Sequence, residues 1–164
     1  MSRKQEARWV DQLRAGEPTA WAALVDHWSL RLYNYLLYSG VHEAAAQTLL
    51  PIIFSAVAEA VVGSLRIASL TVLIFTIARQ HVLHFCQQEP CRPLEPPFPA
   101  LFADEEATHF LTIFHHFTPE VQQMLVLHYL CDVSLAEISQ ILGQREEVLT
   151  KLLHRAQYYL FRAK

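Results

Sequence analysis

Phe117–Arg162, FTPEVQQMLVLHYLCDVSLAEISQILGQREEVLTKLLHRAQYYLFR, holds the pattern that decides the fold. Within it Ser134-Leu135-Ala136-Glu137 forms a capping box, in which the Ser side chain accepts from the backbone N–H of Glu137 and the carboxylate reaches back. Leu135, Ile138, Ile141 and Leu142 then give a short helix one apolar face, and Gly143 supplies the residue that ends it. A second periodic run follows the Gly143-Gln144-Arg145 turn, with Val148 and Leu152 expected to face inward and Leu149 beside them. A capped short helix, a glycine turn and a second helix make a helix-turn-helix. That geometry presents its second helix to a DNA major groove.

Residue types and spacings extend a likeness over nearly the whole chain. Thr118-Pro119-Glu120 opens a helix, SLAEISQILG follows, and Val148, Thr150-Lys151-Leu152 and His154-Arg155-Ala156 complete the block. Upstream stand Ala15-Gly16-Glu17-Pro18-Thr19-Ala20-Trp21, then Trp28 and Tyr33, then Ile74-Phe75-Thr76-Ile77-Ala78-Arg79. These stretches resemble the extracytoplasmic-function sigma factors, small two-domain sigma-70 relatives, with the C-terminal block similar to their −35-reading region 4. The resemblance implies an all-α fold, promoter DNA and RNA polymerase core as partners, and an anti-sigma factor as regulator. One departure stands out. Where the family usually has Ala-Glu-Asp-x-x-Gln-Glu-x-Phe, this chain has Ala46-Gln47-Thr48-Leu49-Leu50-Pro51-Ile52-Ile53-Phe54. In the family those polar residues grip the polymerase clamp, so region 2 is degenerate here.

Composition fits a folded helical protein: 52% of the 164 residues are hydrophobic and only 4 are glycine. The net charge is −3, yet its distribution favours one end. Glu105–Gly143 carries five acidic residues and no Lys or Arg, whereas Gln144–Lys164 carries Arg145, Lys151, Arg155, Arg162 and Lys164 against Glu146 and Glu147. Positive charge gathered on one helix is an electrostatic footprint for DNA. The candidate DNA-binding residues are Gln144, Arg145, Thr150, Lys151, His154 and Arg155, because Lys and Arg attract phosphates while Gln, Thr, Arg and Lys hydrogen-bond base edges. The competing reading of the same helix is a solvated amphipathic surface used for protein contacts.

The expected organisation is a helical domain over 1–86, a Pro-rich linker over 87–103 and a helix-turn-helix domain over 104–164. Pro90, Pro93, Pro96, Pro97 and Pro99 exclude a helix in the linker. Helices are expected near 104–116, 119–130, 135–142 and 146–162. In the first domain the third helix, about Glu43 to Val62, is the unusual one. Its apolar residues cover more than one face, and Pro51 should kink or divide it. Leu49, Leu50, Ile53, Phe54 and Val57 are therefore candidates for a partner-binding surface or homodimer contact. The sparse basic residues there, Arg66 and Arg79 between Arg31 and Arg92, argue against DNA binding by this domain.

Other chemistry is not expected. No phosphate-binding glycine loop, carboxylate pair or activated nucleophile occurs, so an enzyme is not expected and no cofactor is implied. His81, His84, Cys86 and Cys91 are residue types that suit zinc, but their spacing matches no zinc pattern and no metal site is assigned. Three cysteines and no signal-peptide pattern point to a reduced, cytoplasmic protein without a membrane span.

Overall fold

The computed structural model describes residues 2–90, 114 and 116–162, and among these the regular elements are all helices. Most of the expected linker, most of the helix expected near 104–116, and Cys91 lie outside the described residues. Helix α1 (Arg3–Arg14) begins with a capping box between Ser2 and Gln5 and gives way to Gly16 at φ 74°. Pro18 stands in the first turn of α2 (Pro18–Tyr38), where its missing N–H costs nothing. Two indoles tie these helices together. Trp9 Nε1 donates to the Ala20 carbonyl at 3.4 Å, and Trp21 Nε1 donates to the Leu13 carbonyl at 3.2 Å.

Helix α3 (Glu43–Gly63) is capped by an unusual residue: His42 Nδ1 accepts from the Ala45 N–H at 3.2 Å. It runs through Pro51 without being divided. The Pro51 ring is exposed, so the Gln47 carbonyl it leaves without an N–H partner lies on the solvent side, where water replaces the lost bond. At its far end the Arg14 guanidinium bonds the Val61 carbonyl at 3.2 Å and the Ser64 carbonyl at 2.5 Å. A cation at a helix C-terminus also meets the negative end of the helix dipole. Helix α4 (Leu70–Gln88) is capped by Ser69, which accepts from the Val72 N–H at 3.2 Å, while Glu6 accepts from the Leu70 N–H.

These four helices enclose Leu13, Leu24, Leu32, Ile53, Val57 and Ile74. Phe75 at their centre meets Trp28 and Tyr35 edge-on, with ring centroids 5.9 and 5.6 Å apart, the favoured aromatic geometry. The packing divides the candidate partner-binding residues of α3 by depth. Ile53 and Val57 are fully buried within the chain, and Leu49, Leu50 and Phe54 are half-buried against the same core. With α1, α2 and α4 around it, α3 turns Glu43, Ala44, Gln47, Thr48, Pro51, Ile52, Ser55, Glu59, Val62 and Gly63 outward. That outer face is largely polar or small. By length and composition α3 could cross a membrane, and 22% of that stretch is buried here, with its Ile53–Val57–Val61 stripe seated in this core.

Helix α5 (Pro119–Leu125) ends in a single π-helical turn, Val126–Leu130, where a regular helix was expected to continue. Helix α6 (Leu135–Leu142) and helix α7 (Glu146–Arg162) follow. Within this half the helices pack on one another, and α6 also packs on α4 while the π turn packs on α2. Met124, Leu125, Leu127 and Ile138 thereby join the apolar cluster of the first four helices.

Candidate nucleic-acid interface

The turn before α7 is built from short-range bonds. Ser134 and Glu137 make the expected capping box, with the Glu137 N–H donating to Ser134 Oγ and the Ser134 N–H donating to Glu137 Oε2, both at 3.3 Å. Gly143 closes α6 in the left-handed region, φ 66°, which a side chain would strain. The Ser139 hydroxyl donates to the Gln144 carbonyl at 2.5 Å, and the Arg145 carbonyl accepts the first N–H groups of α7 from Val148 and Leu149. The turn is therefore held from both sides, and α7 leaves it in a defined direction.

That direction fixes which residues face solvent. Leu149, Leu153 and Ala156 form the inner stripe, with Leu149 only 2% exposed, whereas Val148 is 42% exposed. The expected inward place of Val148 is thus corrected, while Leu149 is buried and Leu152 is half-buried against the core. A Leu149–Leu153–Ala156 stripe is as regular as one through Val148 and Leu152, and periodicity alone does not choose between them.

Of the six candidate DNA-binding residues, Gln144, Arg145, Lys151, His154 and Arg155 are exposed, and Thr150 is half-buried. The Thr150 hydroxyl donates to the Glu146 carbonyl at 2.9 Å, so it is tied to its own helix. Arg145 pairs with Glu147 at 2.8 Å, both side chains well exposed, and the pair cancels its own charge at the start of α7. The net positive surface begins one turn later. Lys151, His154 and Arg155 occupy neighbouring positions on one face, at the spacings that bring helical side chains together.

Residues not singled out from sequence extend this face. Val148 adds an apolar side chain between Gln144 and Lys151, at positions four before and three after it. Tyr158 and Tyr159 are exposed on the next turns, and the Arg162 guanidinium lies over the Tyr158 ring at 4.5 Å. Gln157 Nε2 donates to the Tyr129 hydroxyl at 2.9 Å, joining α7 to the π turn. The signal that could have found the tyrosines is their adjacency to the basic run.

In the four-helix half Arg3, Lys4 and Arg8 are exposed on the first turns of α1. Trp28 and Phe75, aromatic candidates for stacking unpaired bases, are buried in its core. His81 Nδ1 bonds the Ile77 carbonyl at 2.9 Å and His84 bonds Gln88 at 3.1 Å. Among the described residues no group of His, Cys, Asp or Glu has a metal-binding arrangement.

No protein-family model and no curated protein matches this chain in sequence. A solved structure described as the RsbN–BldN complex is 24% identical over 94% of this chain and 99% of that chain, with a TM-score of 0.42. A solved structure described as CnrH in complex with the cytosolic domain of CnrY is similar with a TM-score of 0.71, at 17% identity over 94% of each chain. At that identity the likeness is one of fold, and the fold is all-α.

Proposed function

We propose that this protein is a sigma-like transcription regulator whose α7 contacts promoter DNA through a −35-like element. The observation that carries the reading is the outer face of α7, where Lys151, His154 and Arg155 lie together in solvent while residues 116–143 hold no Lys or Arg. Lys and Arg there neutralise phosphates, and Gln144, Arg145 and Val148 at the start of the helix meet base edges. Arg145 exchanges its Glu147 partner for a phosphate or a guanine edge on binding. The fold shared with CnrH supports the reading, and its complex with the cytosolic domain of CnrY supports a protein partner of anti-sigma type for this chain. In the same reading the four-helix half docks on RNA polymerase core.

DNA affinity tests this directly. Duplexes are selected from a random pool on the full chain, and binding of the winner is followed by fluorescence anisotropy against salt. Lys151→Glu and Arg155→Glu are expected each to weaken binding by more than tenfold and to lower the salt slope by about one. Unchanged affinity in both variants removes α7 as the reader.

A second reading is favoured by one observation. The outer face of α3 carries Gln47, Thr48, Pro51 and Ile52 in place of the Glu-Asp and Gln-Glu pairs by which the family grips polymerase. On this reading the chain is a protein-interaction module or homodimer that has lost polymerase and −10 DNA. Size-exclusion chromatography with polymerase core separates the two: co-elution supports the sigma-like subunit, and separate elution supports the interaction module.

A further inference from the structure

One exposed stripe of α7 continues past the turns that meet base edges. Val148, Lys151, Arg155, Tyr158 and Arg162 follow one another at steps of three, four, three and four, which keep side chains on one side of a helix. All five are exposed. From Val148 to Arg162 the stripe runs roughly 21 Å, at about 1.5 Å per residue. The major groove of B-DNA is about 12 Å wide, and a recognition helix meets base edges with its N-terminal residues. The stripe therefore outruns the groove, and its far end, Tyr158 and Arg162, comes level with the sugar-phosphate wall.

Charge is distributed to suit that placement. Glu146 and Glu147 stand on the first turn and Arg145 is paired with Glu147, whereas residues 148–162 include Lys151, Arg155 and Arg162 and no Asp or Glu. Attraction for phosphates thus strengthens away from the end of α7 that meets base edges. At the far end the Arg162 guanidinium lies over the Tyr158 ring, 4.5 Å from its centroid, and donates to the Tyr158 hydroxyl. Tyr159 meets the same ring edge-on, with centroids 5.8 Å apart. One helical turn earlier, the bond from Gln157 to Tyr129 braces α7 against the π turn. A hydroxyl whose oxygen accepts from a guanidinium still has its own O–H to donate, and the guanidinium keeps further N–H donors. The pair presents converging donors and one positive charge, and among the described residues no carboxylate forms an ion pair with Arg162. That is the chemistry that suits a phosphate oxygen.

We propose that Tyr158 and Arg162 form a site for one backbone phosphate of the duplex whose major groove receives the start of α7. The site rests on the DNA reading above and adds a contact that fixes the register of α7 without reading sequence. The stacking of guanidinium on ring orders both side chains before DNA arrives, so less side-chain entropy is lost on binding. An acidic protein surface would meet the same charge, but the register with Val148 and Lys151 puts the pair on the side of α7 that faces the duplex.

The test uses the full chain with the selected duplex and an unrelated duplex of equal length, each followed by anisotropy against salt. Arg162→Gln should weaken binding to both duplexes alike, by about fivefold to tenfold, and lower the salt slope by about one. Tyr158→Phe keeps the ring and removes only the hydroxyl, so it should weaken binding about threefold to tenfold with the salt slope unchanged. In the double variant the loss should fall short of the product of the two, because both groups serve one phosphate. Single uncharged methylphosphonates placed along the selected duplex locate that phosphate: one position should weaken the original chain and leave Arg162→Gln indifferent. Both side chains are exposed, so the variants should keep their stability within about 0.5 kcal/mol by urea unfolding. Unchanged affinity in both single variants, a loss confined to the selected sequence, or no position to which Arg162→Gln becomes indifferent overturns the phosphate site. With Lys151→Glu still weakening binding, those outcomes leave the DNA reading standing; a chain that binds neither duplex overturns both.

Discussion

Replacing Ile53 by alanine removes three carbon atoms from the interior of the four-helix half, where the side chain is fully buried. At about 0.8 kcal/mol for each buried carbon the transfer loss is about 2.4 kcal/mol. Helices on three sides of α3 limit how far the site can collapse, and the residual cavity brings the expected cost to about 3–4 kcal/mol. For a chain of this size that lowers the melting temperature by roughly 6–16 °C. Ile52, its neighbour in sequence, is 46% exposed, so Ile52→Ala should stay within about 0.5 kcal/mol of the original. Urea unfolding followed by circular dichroism measures both, and light scattering records the association state. The contrast between adjacent residues is the sensitive part, because a surface role for α3 reverses it. A cost below about 1 kcal/mol at Ile53, or a change of association state with stability intact, would refute the burial argument and restore Ile53 as a contact for a partner.

Three further outcomes follow from local geometry. Arg14→Ala leaves the Val61 and Ser64 carbonyls without their guanidinium donor and should cost about 1–3 kcal/mol in the same unfolding assay. Asp132→Gly relieves a left-handed backbone and should leave stability equal or slightly raised, whereas the β-branched Asp132→Val should lower the melting temperature by several degrees. Burial pushes the Cys131 thiol up from 9.0 to about 12. Between those values the unfolded chain has lost a proton that the folded chain keeps, so stability falls as pH rises above about 9. Cys131→Ala should flatten that alkaline decline in a pH series of melting curves, leaving the part due to buried Tyr35, whose hydroxyl burial also pushes upward.

What sequence alone determined here is what short-range physics controls. The capping box at Ser134 and Glu137, the left-handed Gly143 and the proline in the first turn of α2 act within a few residues, so the helices they bound were legible without any tertiary contact. The gathering of Lys151, His154 and Arg155 on one helical face was legible for the same reason. The phase of α7 was not, because Val148 and Leu149 offer equally regular inner stripes and the choice depends on which one meets the rest of its half. The seating of α3 was not, because its apolar residues exceed one face and only three neighbouring helices decide which are covered. Least legible were the contacts of α5 and α6 with the first four helices. Tyr35 with Gln123 and Ser69 with Glu137 are pairs far apart in the chain, and no local pattern marks residues whose partners are chosen by tertiary packing.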